Sequence, residues 1–194
     1  MFSHCFSRRK AVRTLVVLAH PDLAASRVNA ALAEAARPVD GVTLHDLYAT
    51  YPDLVIDVER EQRLLLEHDR IVLQFPFYWY SAPPLLKKWL DEVFLHGFAY
   101  GSQGTALRGK ALLVATTAGA SEEMYRPEGF KRFTVAELLN TFDATANITG
   151  MRYEEPFVVH GTHGLDDAAL AAHQEHYRAL LASGVPRERD LAVA

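Results

Sequence analysis

A chain of 194 residues, 49% apolar and 23% charged, holds enough material for one packed globular domain and too little for two of ordinary size. A formal net charge of -4 argues against general nucleic-acid binding, and the basic cluster Arg8-Arg9-Lys10 is too short for a membrane or nucleic-acid patch. No apolar run reaches transmembrane length, the first ten residues lack the apolar centre of a secretory signal, and the single cysteine, Cys5, allows no intrachain disulfide. A cytoplasmic protein is expected, with one domain over 12–185, a loose extension over 1–11 and a tail over 186–194.

Taken in chain order, apolar runs alternate with helical patterns. RTLVVLAH (13–20) reads as a strand and is followed by a helix over 26–37 with Ser26 as N-cap. GVTLHDL (41–47) is a second strand, and EREQRLLLEHD (59–69) is helical. RIVLQFP (70–76) is a third strand, and the helix 83–94 carries proline in its first turn, where a missing N–H costs little. KALLVATTAG (110–119) is a fourth strand, followed by one helix over 133–150 with Gly150 at its C-terminal stop. YEEPFVVHGT (153–162) is a weaker fifth strand, and a last helix over 165–184 ends at Gly184 before Pro186.

Continuous rather than alternating apolar strands imply a parallel sheet covered on both faces. Five βα units therefore predict a doubly wound five-stranded parallel sheet with helices on both faces. Ligands in such sheets bind beyond the carboxyl ends of the strands, so the loops there are the candidate site.

The first such loop runs over 20–29 into a helix N-terminus, a place that favours anions. Ser26 and Asn29 offer polar groups there and Arg27 a charge; the plainer reading is an ordinary cap at Ser26. The loop has neither the Walker nor the GxGxxG pattern. The third loop crowds Phe77, Tyr78, Trp79 and Tyr80 into one strand end, either to cover a flat aromatic ligand or to pack under the next helix or a second subunit. In the fourth loop, small residues at 118–120 permit close backbone approach, Thr116 and Thr117 offer hydroxyls, and Tyr125 offers a neutral phenol. A phosphate binder and two ring binders on neighbouring loops suit a ligand with a phosphate at one end and a flat heterocycle at the other.

LAHP with SRVN, then FPFYWYSAPPLLKKWLDEVF, GFAYG, LRGK and TTAG…MY, together resemble the flavodoxin-like NAD(P)H:quinone oxidoreductase family over about 13–183. The short bacterial members look most similar, including ancillary subunits of glutathione-gated potassium efflux systems. The resemblance implies FMN or FAD, with the absent C-terminal extension favouring FMN, and NAD(P)H as reductant. It also implies a quinone-like acceptor and a homodimer with its active sites at the interface. By resemblance, His20, Ser26, Arg27, Val28 and Asn29 hold the phosphate end; Phe77, Tyr78, Trp79, Tyr80, Thr117, Ala118, Gly119 and Ala120 contact the ring system. Tyr125 matches the catalytic loop tyrosine, and Tyr100 the tyrosine supplied to the substrate pocket across the dimer. Where the family has Thr-Thr-Gly-Gly, this chain has Thr116-Thr117-Ala118-Gly119, and Lys131 stands where larger relatives pair the tyrosine with histidine.

The implied chemistry is two-electron, ping-pong hydride transfer. A regulatory subunit on a transporter's cytoplasmic domain, peripheral at the inner membrane, and a one-electron flavodoxin-type carrier are the alternatives. His160, His163, His173 and His176 suggest no complete metal site and read as a solvated face.

Overall fold

The computed structural model describes residues 12–183. The expected extension and tail, with Cys5, the Arg8-Arg9-Lys10 cluster, Gly184 and Pro186, lie outside the described residues. In chain order the elements are β1 (Thr14–Leu18), α1 (Arg27–Ala36), β2 (Val42–Asp46), α2 (Leu47–Thr50), α3 (Val58–Glu67), β3 (Arg70–Pro76) and α4 (Pro84–Val93). There follow β4 (Ala111–Thr117), a 3-10 turn over Glu122–Tyr125, α5 (Val135–Leu138), α6 (Asn140–Thr149), β5 (Arg152–Tyr153), β6 (Phe157–Val159) and α7 (Asp167–Ala182).

The sheet order is β2-β1-β3-β4-β5 with every pairing parallel, and β6 also pairs β4. The chain leaves β1 for β2 on one side and returns to β3 on the other. A crevice opens at that reversal, beyond the carboxyl ends of β1 and β3. Registers Leu18↔Gln74 and Gln74↔Ala115 align the strands, so the loops after β1, β3 and β4 emerge at one edge.

Strand side chains alternate between two cores. Leu15, Val17, Ile71, Leu73, Phe75, Leu112 and Val114 pack with Leu65 of α3 and with Leu86 and Trp89 of α4. Val16, Val72, Leu113 and Ala115 pack with Leu32 of α1 and Tyr177 of α7. Both sets are buried, which is why these strands read as continuous apolar runs. Burying each such Leu, Ile or Val contributes about 1.5–3 kcal/mol.

Three expectations are refined. The helix expected over 133–150 is α5 and α6, separated at fully buried Leu139 with ψ of 1°; Thr134 and Glu137 form a capping box on the first piece. Gly150 does end the second, in the left-handed region at φ 68°. The weak fifth strand is two pieces around Glu154-Glu155-Pro156. Pro156 has no N–H for the ladder, and Glu154 turns in to Arg70, Nη2 to Oε2 at 2.6 Å. The second strand stops at Asp46, whose Oδ1 accepts from Ala49 N (3.1 Å) and caps α2.

A buried carboxylate braces one face. Glu61 of α3 accepts from Tyr51 Oη (2.6 Å) and Trp89 Nε1 of α4 (2.8 Å), and pairs with His45 Nε2 of β2 (2.9 and 3.0 Å). Burial raises its pKa, but the bonds from His45, Tyr51 and Trp89 outweigh that and leave it below the ordinary carboxylate value. This knot fixes α4, and with it the aromatic loop that α4 follows.

Candidate functional site: a two-ended cleft at the strand ends

The first end is the turn into α1. Ser26 accepts from Asn29 N at 3.3 Å, the expected cap. The N–H groups of Arg27 and Val28 have no partner among the described residues, as the first turn of a helix dictates. His20 accepts from Asp22 N through Nδ1 (3.1 Å), which puts the proton of the neutral ring on Nε2. Burial lowers its pKa and keeps it neutral, with Asp22 opposing. Val28 itself is buried in the α1–α7 core and offers only backbone. The Arg27 guanidinium is engaged elsewhere: Nη1 donates to Leu165 O (2.6 Å) and Nη2 to Asp167 Oδ1 (2.5 Å), tying α1 to α7.

Between the ends lies Asn29. Its Nδ2 donates to Thr117 Oγ1 at 2.8 Å, and its Oδ1 is buried with no partner. Thr117 therefore keeps its own hydroxyl proton for another acceptor. Thr116 does not reach the cleft, since its hydroxyl donates to Phe75 O (2.8 Å) inside the sheet.

The aromatic loop is a tight hairpin. Tyr78 and Ser81 exchange both backbone bonds (3.0 and 2.9 Å), and the two residues between them, Trp79 and Tyr80, have φ of 48° and 63°. Two consecutive left-handed residues make the turn that usually carries Asn-Gly. Bulky side chains in that conformation are strained, by about 1–3 kcal/mol per residue. The turn divides the four rings. Phe77 is buried between them as a shared wall, Tyr78 turns to the first end with its edge to His20 (6.4 Å), and Trp79 and Tyr80 line the second end.

The fourth loop closes the second end. Ala118 is anchored in the sheet, its N–H on Val159 O at 2.8 Å, whereas the N–H groups of Gly119 and Ala120 have no partner among the described residues. A Cβ at Gly119 would meet His163 Nε2 at 2.7 Å, so glycine here admits the histidine ring. The 3-10 turn delivers Tyr125, buried against Phe77 (6.1 Å) and His160 (5.6 Å). Its hydroxyl has no hydrogen-bond partner among the described residues; burial raises its pKa and Lys131 opposes, so it is a neutral donor. Lys131 Nζ lies 5.3 Å from both the Tyr80 and Tyr125 ring centroids.

The two ends have volumes of about 540 and 460 Å³ and adjoin, with Phe77, Gly119 and His163 lining both. That is the size of an ordinary small-molecule site. A flavin mononucleotide fits its chemistry: free helix N–H groups and the His20 Nε2 proton for a phosphate, orphaned Asn29 Oδ1 for a hydroxyl, and unpaired N–H groups at 79, 80, 119 and 120 for a heterocycle's edge. Tyr100 is not brought to this cleft. It lines a separate groove with Phe94 and Ile148. Lys131 and His163 are cleft residues that sequence reasoning had not assigned. Lys131 carried a signal, its place six residues after Tyr125; His163 carried none beyond its position past a strand end. Of the histidines read as a solvated face, His163 and His176 are exposed, whereas His160 and His173 are half-buried, with rings against Tyr125 (5.6 Å) and Phe157 (6.4 Å).

The protein belongs to the family described as Flavodoxin-like fold, whose pattern matches residues 12–181. Among its relatives is the uncharacterized NAD(P)H oxidoreductase YrkL of Bacillus subtilis (strain 168), 49% identical over 151 residues, 78% of this chain and 87% of that protein. The glutathione-regulated potassium-efflux system ancillary protein KefG of Pectobacterium carotovorum is 42% identical over 176 residues, 91% and 96% of the two chains. The general stress protein 14 of Treponema denticola, solved in complex with FMN, superposes with a TM-score of 0.82 at 42% identity, covering 87% of this chain and 97% of that one.

Proposed function

We propose that the chain is an FMN-dependent NAD(P)H:quinone oxidoreductase that works by two-electron, ping-pong transfer. The observation that carries this reading is the pair of adjoining pockets, one at a helix N-terminus suited to an anion and one lined by rings, with Phe77, Gly119 and His163 in both walls. The relatives support it through their names: an NAD(P)H oxidoreductase, and a structure in complex with FMN. When bound, FMN supplies the hydride chemistry, taking two electrons from the nicotinamide and passing them to the acceptor.

The chain's own residues do the rest. The N–H groups of Arg27 and Val28, with His20, would hold the phosphate; Arg27 would act through its backbone, because its side chain is bound to Leu165 O and Asp167. Asn29 and Thr117 would serve hydroxyls between the ends, Trp79 and Tyr80 would line the ring system's end beside Phe77, and Tyr78 borders the first end next to His20. The N–H groups of Gly119 and Ala120 and the Tyr125 hydroxyl are fixed donors toward negative charge at the ring's polar edge. Tyr100 completes the pocket from a second copy in a homodimer, which accounts for its absence from the cleft of one chain.

The purified protein should be yellow, release FMN on denaturation, and lose its visible absorbance within one turnover of NADPH in stopped flow. A colourless protein that neither FMN nor FAD reconstitutes overturns the reading. Cofactor that NADPH does not reduce directly would point instead to a one-electron carrier. A second role is favoured by the KefG relative: binding the cytoplasmic domain of a potassium-efflux transporter. No helix among the described residues is long and apolar enough to cross a membrane, so membrane association would run through that partner. Co-purification with the transporter domain tests it.

A further inference from the structure

The ring-lined end of the cleft holds one lysine and no carboxylate. Lys131 is half-buried, its Nζ 5.3 Å from the Tyr80 and Tyr125 ring centroids and 3.5 Å from Tyr80 Oη. Its backbone is fixed, with N–H on Met124 O at 2.9 Å. Other lysines among the described residues are committed elsewhere: Lys87 and Lys88 pair with Asp91 and Glu92 one helical turn on, and Lys110 donates to His68 O. Lys131 has no ion-pair partner among the described residues. Glu122 and Glu123 of the 3-10 turn are exposed and do not line the cleft.

Two aromatic faces steady an ammonium group without neutralising it. Of its three donors, only one is engaged, and weakly, by Tyr80. The result is a partly desolvated, uncompensated positive charge beside a slot shaped for a flat ring. A neutral acceptor leaves that charge unpaired, whereas an acidic substituent pairs with it where water is partly excluded.

We propose that Lys131, at the ring-lined end where an acceptor would lie beside the flavin ring, makes the protein selective for flat aromatic acceptors carrying an acidic group, a sulfonate or carboxylate, which its ammonium binds. The proposal rests on the oxidoreductase reading of this cleft.

The test uses FMN-loaded wild-type protein, Lys131→Gln and Lys131→Arg. Calorimetry compares naphthalene-2-sulfonate with naphthalene-2-sulfonamide, a redox-inert pair alike in shape and unlike in charge. Wild type should prefer the sulfonate about tenfold, as one charge pair in a partly screened site predicts. Lys131→Arg should keep the preference, and Lys131→Gln should erase it while still binding the sulfonamide. In turnover, Lys131→Gln should raise KM for 1,2-naphthoquinone-4-sulfonate about tenfold more than it changes KM for 1,2-naphthoquinone. Equal wild-type affinities, an unmoved ratio in Lys131→Gln, or parallel loss of both ligands in that variant overturns the proposal and leaves the oxidoreductase reading standing. Wild-type protein that holds FMN but reduces neither naphthoquinone overturns that reading, and the acceptor role with it.

Discussion

Tyr125 owes its place to the 3-10 turn at 122–125, which carries a buried ring to the cleft and leaves its hydroxyl without a partner among the described residues. A donor aimed at developing charge acts mainly in the transition state. Tyr125→Phe should therefore lower kcat about tenfold, roughly 1.4 kcal/mol, with FMN content unchanged; steady-state kinetics beside the visible spectrum checks it. An unaltered kcat would remove the hydroxyl from the mechanism. Arg27 shows the opposite relation between sequence and site. Its position in the turn that opens α1 was legible, but its guanidinium is taken by Leu165 O and Asp167, residues 138 and 140 positions away. A contact so distant in sequence leaves no local pattern. Nor does the placement of His163, which depends on Gly119 lacking a Cβ.

Two elements hold the site in shape, one strained and one braced. The hairpin at 78–81 keeps Trp79 and Tyr80 left-handed, with Trp79 92% exposed, so packing does not explain its presence. The double substitution Trp79→Asn with Tyr80→Gly relieves that strain and should raise unfolding free energy by about 1 kcal/mol. The same double variant should raise KM for the acceptor, separating stability from function in one urea titration and one kinetic series. The brace is Glu61. Glu61→Gln keeps the shape but sets an amide N–H₂ among the donors of Tyr51, Trp89 and His45. Removing one charge from such a buried network should cost about 3 kcal/mol, read as a lower urea midpoint. The aromatic cluster was conspicuous in the sequence, yet its division between the two ends was not, because the turn geometry assigns the faces.

Across the whole molecule, three histidines from different elements share one property. Burial lowers the pKa of His20, of His160 and of His173 below the ordinary 6.5. The unfolded chain takes up those protons near 6.5 while the folded chain resists them. Below that pH the unfolded state binds more protons, so stability falls as pH drops. Thermal unfolding should show Tm lower at pH 5.5 than at 7.5, by about 2–4 °C for each kcal/mol lost in a domain of this size. His160→Gln should flatten the slope. Glu61, held below its ordinary 4.5, adds its own loss only at lower pH, as protonation cancels the bonds from His45, Tyr51 and Trp89.

The amino-acid sequence alone determined the strands, most helices and the parallel, two-faced sheet, because continuous burial, caps and prolines are local physics written in adjacent residues. It also determined which loops meet, since the order of βα units places every strand end on one edge. Only the tertiary structure decided which side chains serve the cleft. It drew Arg27 away to α7, left Tyr100 in a separate groove, split the aromatic wall between two ends and brought Lys131 and His163 to the cleft lining. Those outcomes depend on contacts between residues far apart in the chain and on left-handed backbone at two bulky residues, and neither leaves a periodic trace in sequence.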